Sequence, residues 1–293
     1  MGLLNQILQY FLSGLTAGGI YALIAVGFVV IYNVSGVVNF AQGEFVMLGA
    51  MITISLVNNN IPIIPAIILA ILITMIIGML LQWLAIRPVK SSSVVTLIII
   101  TMGASILMKG AALLIWGTTP YTLPAFTQGS PLTIGEATLN LQSLWVIGVT
   151  ILVSALLFYF FEKTFLGKAV RACMINKIGA RLEGISPQKM SLVCFGLSAG
   201  IGAAAGIVVA PITLATFDMG SMLGLKGFVA AVLAGLTSVP GAIAGGLVLG
   251  VMESLGAGLI SSGFKDGIAF IILLLVLVLK PEGIFGPSET KRV

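Results

Sequence analysis

Three ionisable side chains, Glu44, Lys109 and Glu253, fall inside long apolar stretches of this 293-residue sequence. A charge within a bilayer-length apolar run is costly, so each is a candidate for binding or relaying a charged species. Each also has a plainer role: Glu44 can cap a half-helix, Lys109 can extend its ammonium to an interface, and Glu253 can sit in a satisfied polar contact. The three are scattered, which is poor material for a proton relay. Around the first of them runs Asn39-Phe40-Ala41-Gln42-Gly43-Glu44, a polar cluster in apolar surroundings. Asn39, Gln42 and Glu44 are therefore the polar groups expected near any translocation path.

Other chemistries are excluded by what is missing. The sequence has no histidine, which removes imidazole metal sites and histidine acid–base catalysis, so neither catalytic residues nor metal ligands are expected. Intramembrane proteolysis would need paired aspartates, a serine–histidine pair or a metal motif, yet Asp218 and Asp266 lie at predicted helix ends. Gly167-Lys168 is followed by Ala169, so no phosphate-binding loop is present and the chain does not hydrolyse ATP by that route. Cys173 and Cys194, in or beside the most basic loop, are expected to be thiols in a reducing compartment.

The elements that hold these residues follow from composition. Hydrophobic residues make up 59% and charged residues 8% of the chain, against roughly 25% charged for a soluble domain. With a mean hydropathy of +1.19, this excludes a soluble protein and indicates an all-α polytopic membrane protein, since helices satisfy their backbone groups internally in lipid. The charge balance of 14 basic against 9 acidic residues, +5, reflects basic cytoplasmic loops rather than nucleic-acid binding. The amino terminus lacks Lys or Arg before its apolar run, so no cleavable signal peptide is expected, and Gln6 departs from the myristoylation pattern.

Apolar runs of about 20 residues fall near 7–32, 34–57, 63–86, 94–116, 144–162, 191–216, 227–260 and 267–280. Thr237-Ser238-Val239-Pro240-Gly241 interrupts the seventh, predicting a short helix at 227–236 and a full one from about 241. That gives eight to nine membrane helices in a single domain, 1–293. The polar break after the first helix and the break in the seventh run are compatible with a weak inverted repeat of two halves. Small residues at four-residue spacing, Gly14, Gly18 and Ala22, Gly196 and Gly200, Gly241 and Gly245, and Gly246 and Gly250, predict close helix packing.

Sidedness follows from basic loops. The segment 163–190 carries Lys163, Lys168, Arg171, Lys177, Arg181 and Lys189, and is expected in the cytoplasm with the 87–93 turn (Arg87, Lys90) and the carboxy terminus (Lys280, Lys291, Arg292). The segment 117–143, with Glu136 as its charge, is expected outside, as is the amino terminus. An even number of crossings between 191 and 280 is then required, which favours 227–236 as a genuine short pass. Within 163–190, Val170, Met174, Ile178 and Leu182 recur every four residues, predicting one amphipathic helix stopped by Gly184, with Ser186-Pro187 starting the return to the membrane. Such a helix either lies in the interface or docks a cytoplasmic partner.

Several segments resemble the integral-membrane permeases of branched-chain amino-acid ABC importers, most closely the shorter of their two permease types. They are Gly19-Ile20-Tyr21-Ala22-Leu23-Ile24-Ala25-Val26-Gly27, Val37 to Ala50 around Asn39-Phe40-Ala41-Gln42-Gly43-Glu44, Thr164 to Ala172, and Ala180-Arg181-Leu182-Glu183-Gly184-Ile185. Phe228 to Leu236, Val239-Pro240-Gly241-Ala242 and Lys280-Pro281-Glu282-Gly283-Ile284-Phe285-Gly286 complete the pattern. Gln42 stands where that family usually has histidine, and Ile178-Gly179-Ala180 where it commonly has Glu-Ala-Ala. The resemblance implies a type II ABC-importer-like permease fold in a bacterial cytoplasmic membrane. Its partners would be a second homologous permease, two cytoplasmic ATPase subunits that bind the ATP, and an extracytoplasmic substrate-binding protein. The segment 163–190 would be the coupling loop, with Arg171, Ile178, Arg181, Leu182 and Gly184 toward the ATPase; this chain itself would need no cofactor. Leucine, isoleucine and valine are the implied cargo. The competing readings are a permease for a related amide, urea or another amino acid, an ion-coupled secondary transporter using Glu44, Glu253 or Lys109, and a passive channel.

Overall fold

The computed structural model describes residues 2–89, 93–280 and 283–284. Lys90, Pro281, Glu282, Phe285, Gly286, Lys291 and Arg292, which entered the sidedness and resemblance arguments, lie outside the described residues. The first helix, α1 (Leu3–Ser35), runs 33 residues, about 50 Å at 1.5 Å per residue. It ends where Gly36 takes φ +76° and donates its N–H to the Tyr32 carbonyl at 2.7 Å, a left-handed cap that glycine adopts without steric cost. Residues 36–41 are non-helical, so α2 (Gln42–Asn58) starts later than the 34–57 run suggested. Then come α3 (Ile63–Leu81), continued by a π-helical turn to Ile86, and α4 (Val94–Trp116). A small antiparallel hairpin, β1 (Leu132–Ile134) and β2 (Ala137–Leu139), precedes α5 (Leu141–Lys163).

The segment expected as one amphipathic helix is two, α6 (Phe165–Ile175) and α7 (Lys177–Leu182). Asn176, at φ −152° and ψ 105°, breaks the run, and its Oδ1 accepts from the N–H groups of Ile178 and Gly179 at 2.9 and 3.0 Å. A side-chain N-cap restarts the helix on a new axis. Val170 is buried while Ile178 and Leu182 are exposed, so the four apolar residues do not share a face. Gly184, at φ +78°, stops α7 as expected, and Ser186 caps α8 (Pro187–Val209) with proline in its first turn.

The last four passes correct the boundaries near 191–260. Helix α8 ends at Val209, and residues 210–218 are non-helical. Helix α9 (Met219–Leu233) starts at Met219 rather than 227, and α10 (Val239–Leu259) follows with Ser238 as its cap. A 3-10 turn leads into α11 (Lys265–Leu279). Seven spans are long and apolar enough to cross a bilayer, and the shorter α2 and α9 are apolar too, matching nine predicted passes among the described residues.

Contacts between distant segments sort the connections into two ends. At one end Tyr121 and Ala215 form a β-bridge, Gln9 pairs with the Thr138 backbone, and the Trp116 Nε1 donates to Ser55 Oγ at 2.6 Å. At the other, Lys177 donates to the Ser35 carbonyl, Asn33 to the Thr237 carbonyl, and the Ile284 N–H to the Leu233 carbonyl. The seven longer spans and the shorter α2 and α9 therefore alternate direction among the described residues, and α9 is a complete short pass, as the parity argument favoured.

Helices α1 and α8 sit in the middle, whereas α3, α4, α5 and α11 turn most of their apolar residues outward, the distribution expected where lipid covers the rim. Helices α1 and α10 pack through the small residues: a Cβ on Gly14 would stand 2.6 Å from the Val251 Cα, and one on Gly18 2.8 Å from the Leu247 Cα. Gly196 and Gly200 likewise receive Met79 and Met75 of α3. The stripe of small residues serves close backbone approach, where dispersion replaces the hydrophobic drive that lipid cannot provide.

Candidate functional site

The Gly43 of α2 meets Gly220 and Gly224 of α9, and a Cβ on Gly224 would lie 2.8 Å from the Gly43 Cα. This crossing puts Glu44 beside a cavity of about 180 Å³ walled by Phe28, Phe40 and Phe228. Glu44 Oε1 accepts from Ser105 Oγ at 2.9 Å and from Ser221 Oγ at 3.4 Å, and Lys109 Nζ donates to the same Ser221 at 3.3 Å. Ser105 is the midpoint residue of α4, so the carboxylate lies midway through the bundle. Its position in the first turn of α2 lets the helix dipole favour the negative charge. Glu44 Oε2 is buried without a hydrogen-bond partner among the described residues. The result is a small apolar chamber with a carboxylate and two hydroxyls in its lining and the Lys109 ammonium bonded behind Ser221, suited to a solute that is largely apolar with a charged end.

Asn39 and Gln42 are placed differently. Asn39 is buried, and its Oδ1 accepts from the Ala41 N–H at 3.1 Å, shaping the turn that feeds α2. Gln42 is fully buried: its Nε2 donates to the Ser198 carbonyl at 3.2 Å, and its Oε1 lies 2.6 Å from Ser198 Oγ. The Ser198 hydroxyl also lies 2.8 Å from the Gly27 carbonyl, and its single proton serves one of these acceptors at a time. Of the three polar residues expected near a path, Glu44 lines the cavity, Asn39 shapes the turn into α2, and Gln42 with Ser198 ties α1, α2 and α8 together.

A second polar centre includes a residue that the pattern of charges did not bring out. Lys226 stands in the middle of α9, nearly fully buried, with Nζ 2.9 Å from Glu253 Oε1 of α10 and 2.7 Å from Asp266 Oδ1 of α11. The Tyr21 hydroxyl of α1 donates to the same Glu253 oxygen at 3.1 Å, and Lys265 Nζ approaches it at 3.6 Å. Two carboxylates balance two ammonium groups, the condition under which ions persist in an apolar interior. The available signal was Lys226 itself, a lysine in the Gly-rich run Gly220 to Gly227. Its partners lie 27 and 40 positions away, beyond any helical spacing. Glu253 is thus in a polar contact through Oε1, the plainer of its two expected roles, while its Oε2 is buried without a hydrogen-bond partner among the described residues.

The loop residues divide into two groups. Ile178, Arg181, Leu182 and Gly184 lie together on or just after α7, all exposed, and form an uncovered apolar and basic tip. Arg171 lies apart, on α6, in an ion pair with Glu162 of α5. Cys173 is buried behind this loop; burial pushes its thiol pKa up, against a smaller opposing pull from Lys177 and Arg181. Among the described residues no group of three or more His, Cys, Asp or Glu side chains gathers as metal ligands would.

Comparison with known proteins gives consistent matches. Residues 10–277 match the family model described as branched-chain amino acid transport system, permease component. The high-affinity branched-chain amino acid transport system permease protein BraD of Pseudomonas aeruginosa is 33% identical over 98% of this chain and 98% of its own length. The permease protein LivH of Escherichia coli, of the same description, is 31% identical over 98% and 97%. The ribose import permease protein RbsC of Escherichia coli is 25% identical over 88% and 81%.

Proposed function

The chain belongs to the family of permease components of branched-chain amino acid transport systems, and from that premise we propose that it forms the membrane passage of an ATP-driven importer for leucine, isoleucine and valine. The observation that carries this reading is the match over nearly the whole chain to permeases named for that transport. It is a transport subunit and not an enzyme; ATP is bound and hydrolysed by two separate cytoplasmic ATPase subunits. A second homologous permease and an extracytoplasmic binding protein complete the assembly, in the bacterial cytoplasmic membrane.

In this reading the end of the bundle bearing α6 and α7 faces the cytoplasm, because six of the basic residues gather there while Glu136 is the charge of the 117–143 loop. The exposed Ile178, Arg181, Leu182 and Gly184 dock on the ATPase, an apolar and basic tip left uncovered in the isolated chain. The Glu44 cavity lies on the passage: its carboxylate and hydroxyls suit an α-ammonium group, and its phenylalanine walls suit a branched aliphatic side chain. Closure of the ATPase pair on ATP would push α7 and, through α6 and the helices it touches, open the passage to one side at a time.

Gentle purification from native membranes with mass spectrometry, followed by uptake in proteoliposomes, tests the reading. Recovery of a second permease and ATPase subunits, with leucine uptake that requires ATP and binding protein, is the expected result. Recovery of the chain alone, with uptake that collapses under an uncoupler at constant ATP, would replace it with an ion-coupled transporter.

A further inference from the structure

The opposite faces of α9 do different work. Gly220, Ser221, Gly224, Leu225 and Phe228 line the Glu44 cavity. At 3.6 residues per turn, Lys226 lies about 170° from the centre of that stripe, and its ammonium reaches away from the cavity to α10 and α11. Several neighbours of α9 meet it at glycines, Gly220 and Gly224 on Gly43, Gly227 on Ile24, and Gly245 on the Ala230 carbonyl, and Phe228 packs its ring against Phe28 and Phe40. Such contacts bring helices close without a directional bond. Directional bonds add to this packing, and those of Lys226 tie the face of α9 opposite the cavity to α10 and α11.

The two carboxylates that share Lys226 are not equivalent. The Glu253 side chain is 1% exposed and also accepts the Tyr21 hydroxyl, so breaking that pair would leave a buried charge unsatisfied. Asp266 is 52% exposed in the first turn of α11, where water replaces a lost partner at small cost. One bond is durable and the other detachable.

We propose that Lys226 is a positioning residue for transport: its bonds to Glu253 and Asp266 set the rotation of α9 that presents Ser221 to Glu44, and release of Asp266 with Glu253 retained lets α9 and α11 part during the cycle. This rests on the transport reading, and Lys226 itself touches no substrate. The test uses the complete transporter with its ATPase and binding protein in proteoliposomes, comparing wild type with Lys226→Met, Lys226→Arg and Asp266→Asn. Uptake rate and KM are measured, together with maleimide labelling of Met222→Cys, an exposed α9 position outside the cavity lining; the native Cys173 and Cys194 are buried.

Lys226→Met is expected to lower the maximal rate about tenfold with KM unchanged, as loss of a charge-assisted bond worth more than 1.4 kcal/mol would. Labelling of Met222→Cys should change about threefold or more in both Lys226→Met and Asp266→Asn, and Lys226→Arg should restore both readouts. Unchanged labelling and rate in Lys226→Met and Asp266→Asn would overturn the proposal, as would a Lys226→Arg variant as impaired as Lys226→Met, or an effect confined to KM. If Lys226→Met fails to assemble, Asp266→Asn decides by the same two readouts. A wild-type complex without uptake would count against the transport reading, while the labelling comparison would still decide whether Lys226 positions α9.

Discussion

Gln42 Oε1 lies 2.6 Å from Ser198 Oγ, joining α2 to α8 across 156 positions of sequence at a point where neither side chain meets solvent. The amide of Gln42 also donates to the Ser198 carbonyl, so one side chain secures two bonds to the central helix. Removing it takes the amide donor from the Ser198 carbonyl and leaves the Ser198 hydroxyl with the Gly27 carbonyl as its acceptor. Gln42→Leu is therefore expected to lower stability by about 1–3 kcal/mol, seen as a reduced Tm in detergent, with KM for substrate little changed. An altered KM at unchanged Tm would instead place Gln42 on the passage.

Glu44 should behave in the opposite way. Gln at this position keeps an oxygen to accept from Ser105 while losing the charge, so assembly should persist. If the carboxylate meets the ammonium of the cargo, uptake by Glu44→Gln should fall about tenfold or more, mainly through KM, as expected for loss of a charge-assisted contact. Transport kinetics equal to wild type would remove Glu44 from the passage.

The exposed tip of the loop makes a sharper prediction. Ile178 and Leu182 pack on little of this chain, so the pair Ile178→Glu with Leu182→Glu should leave the permease folded and abolish recovery of the ATPase on affinity purification. Gly184 acts through the backbone: at φ +78°, Gly184→Ala is strained by about 1–2 kcal/mol and should weaken ATPase coupling without affecting membrane insertion. Normal coupling in both variants would move the docking surface elsewhere.

Cys173 offers a measurement outside the membrane. Its thiol is buried and its pKa is raised, so at pH 8 a smaller fraction is thiolate than for a free cysteine, and the thiolate is the reactive form. Maleimide labelling should be slow in the folded protein, should keep rising with pH beyond the point where a free cysteine levels off, and should reach the free rate on unfolding. Rapid labelling at pH 7 would show that α6 opens readily from its seat.

Much was legible in the sequence because the governing signals are local. Long apolar runs cross lipid, basic loops cluster at one end, and Gly184 and Ser186-Pro187 mark helix ends through their own backbone preferences. Even the short pass of α9 followed from counting crossings. Where an apolar stretch continued past its helix, as at 210–218, hydropathy alone could not see the break, since a buried non-helical segment and a buried helix have the same composition. Asn176 was overlooked for the related reason that a four-residue apolar repeat continued through it, although its capping side chain ends the helix.

The sequence by itself determined that this is an all-helical membrane protein of about nine passes with its basic residues gathered in one loop, because hydropathy, charge and caps act within a few residues of where they are written. Only the tertiary structure decided which polar groups meet: that Glu44 faces a cavity while Gln42 clasps Ser198, and that Lys226 is shared by Glu253 and Asp266. Those pairings join helices far apart in the chain, and in an apolar interior a polar group's role is set by the partner that satisfies it.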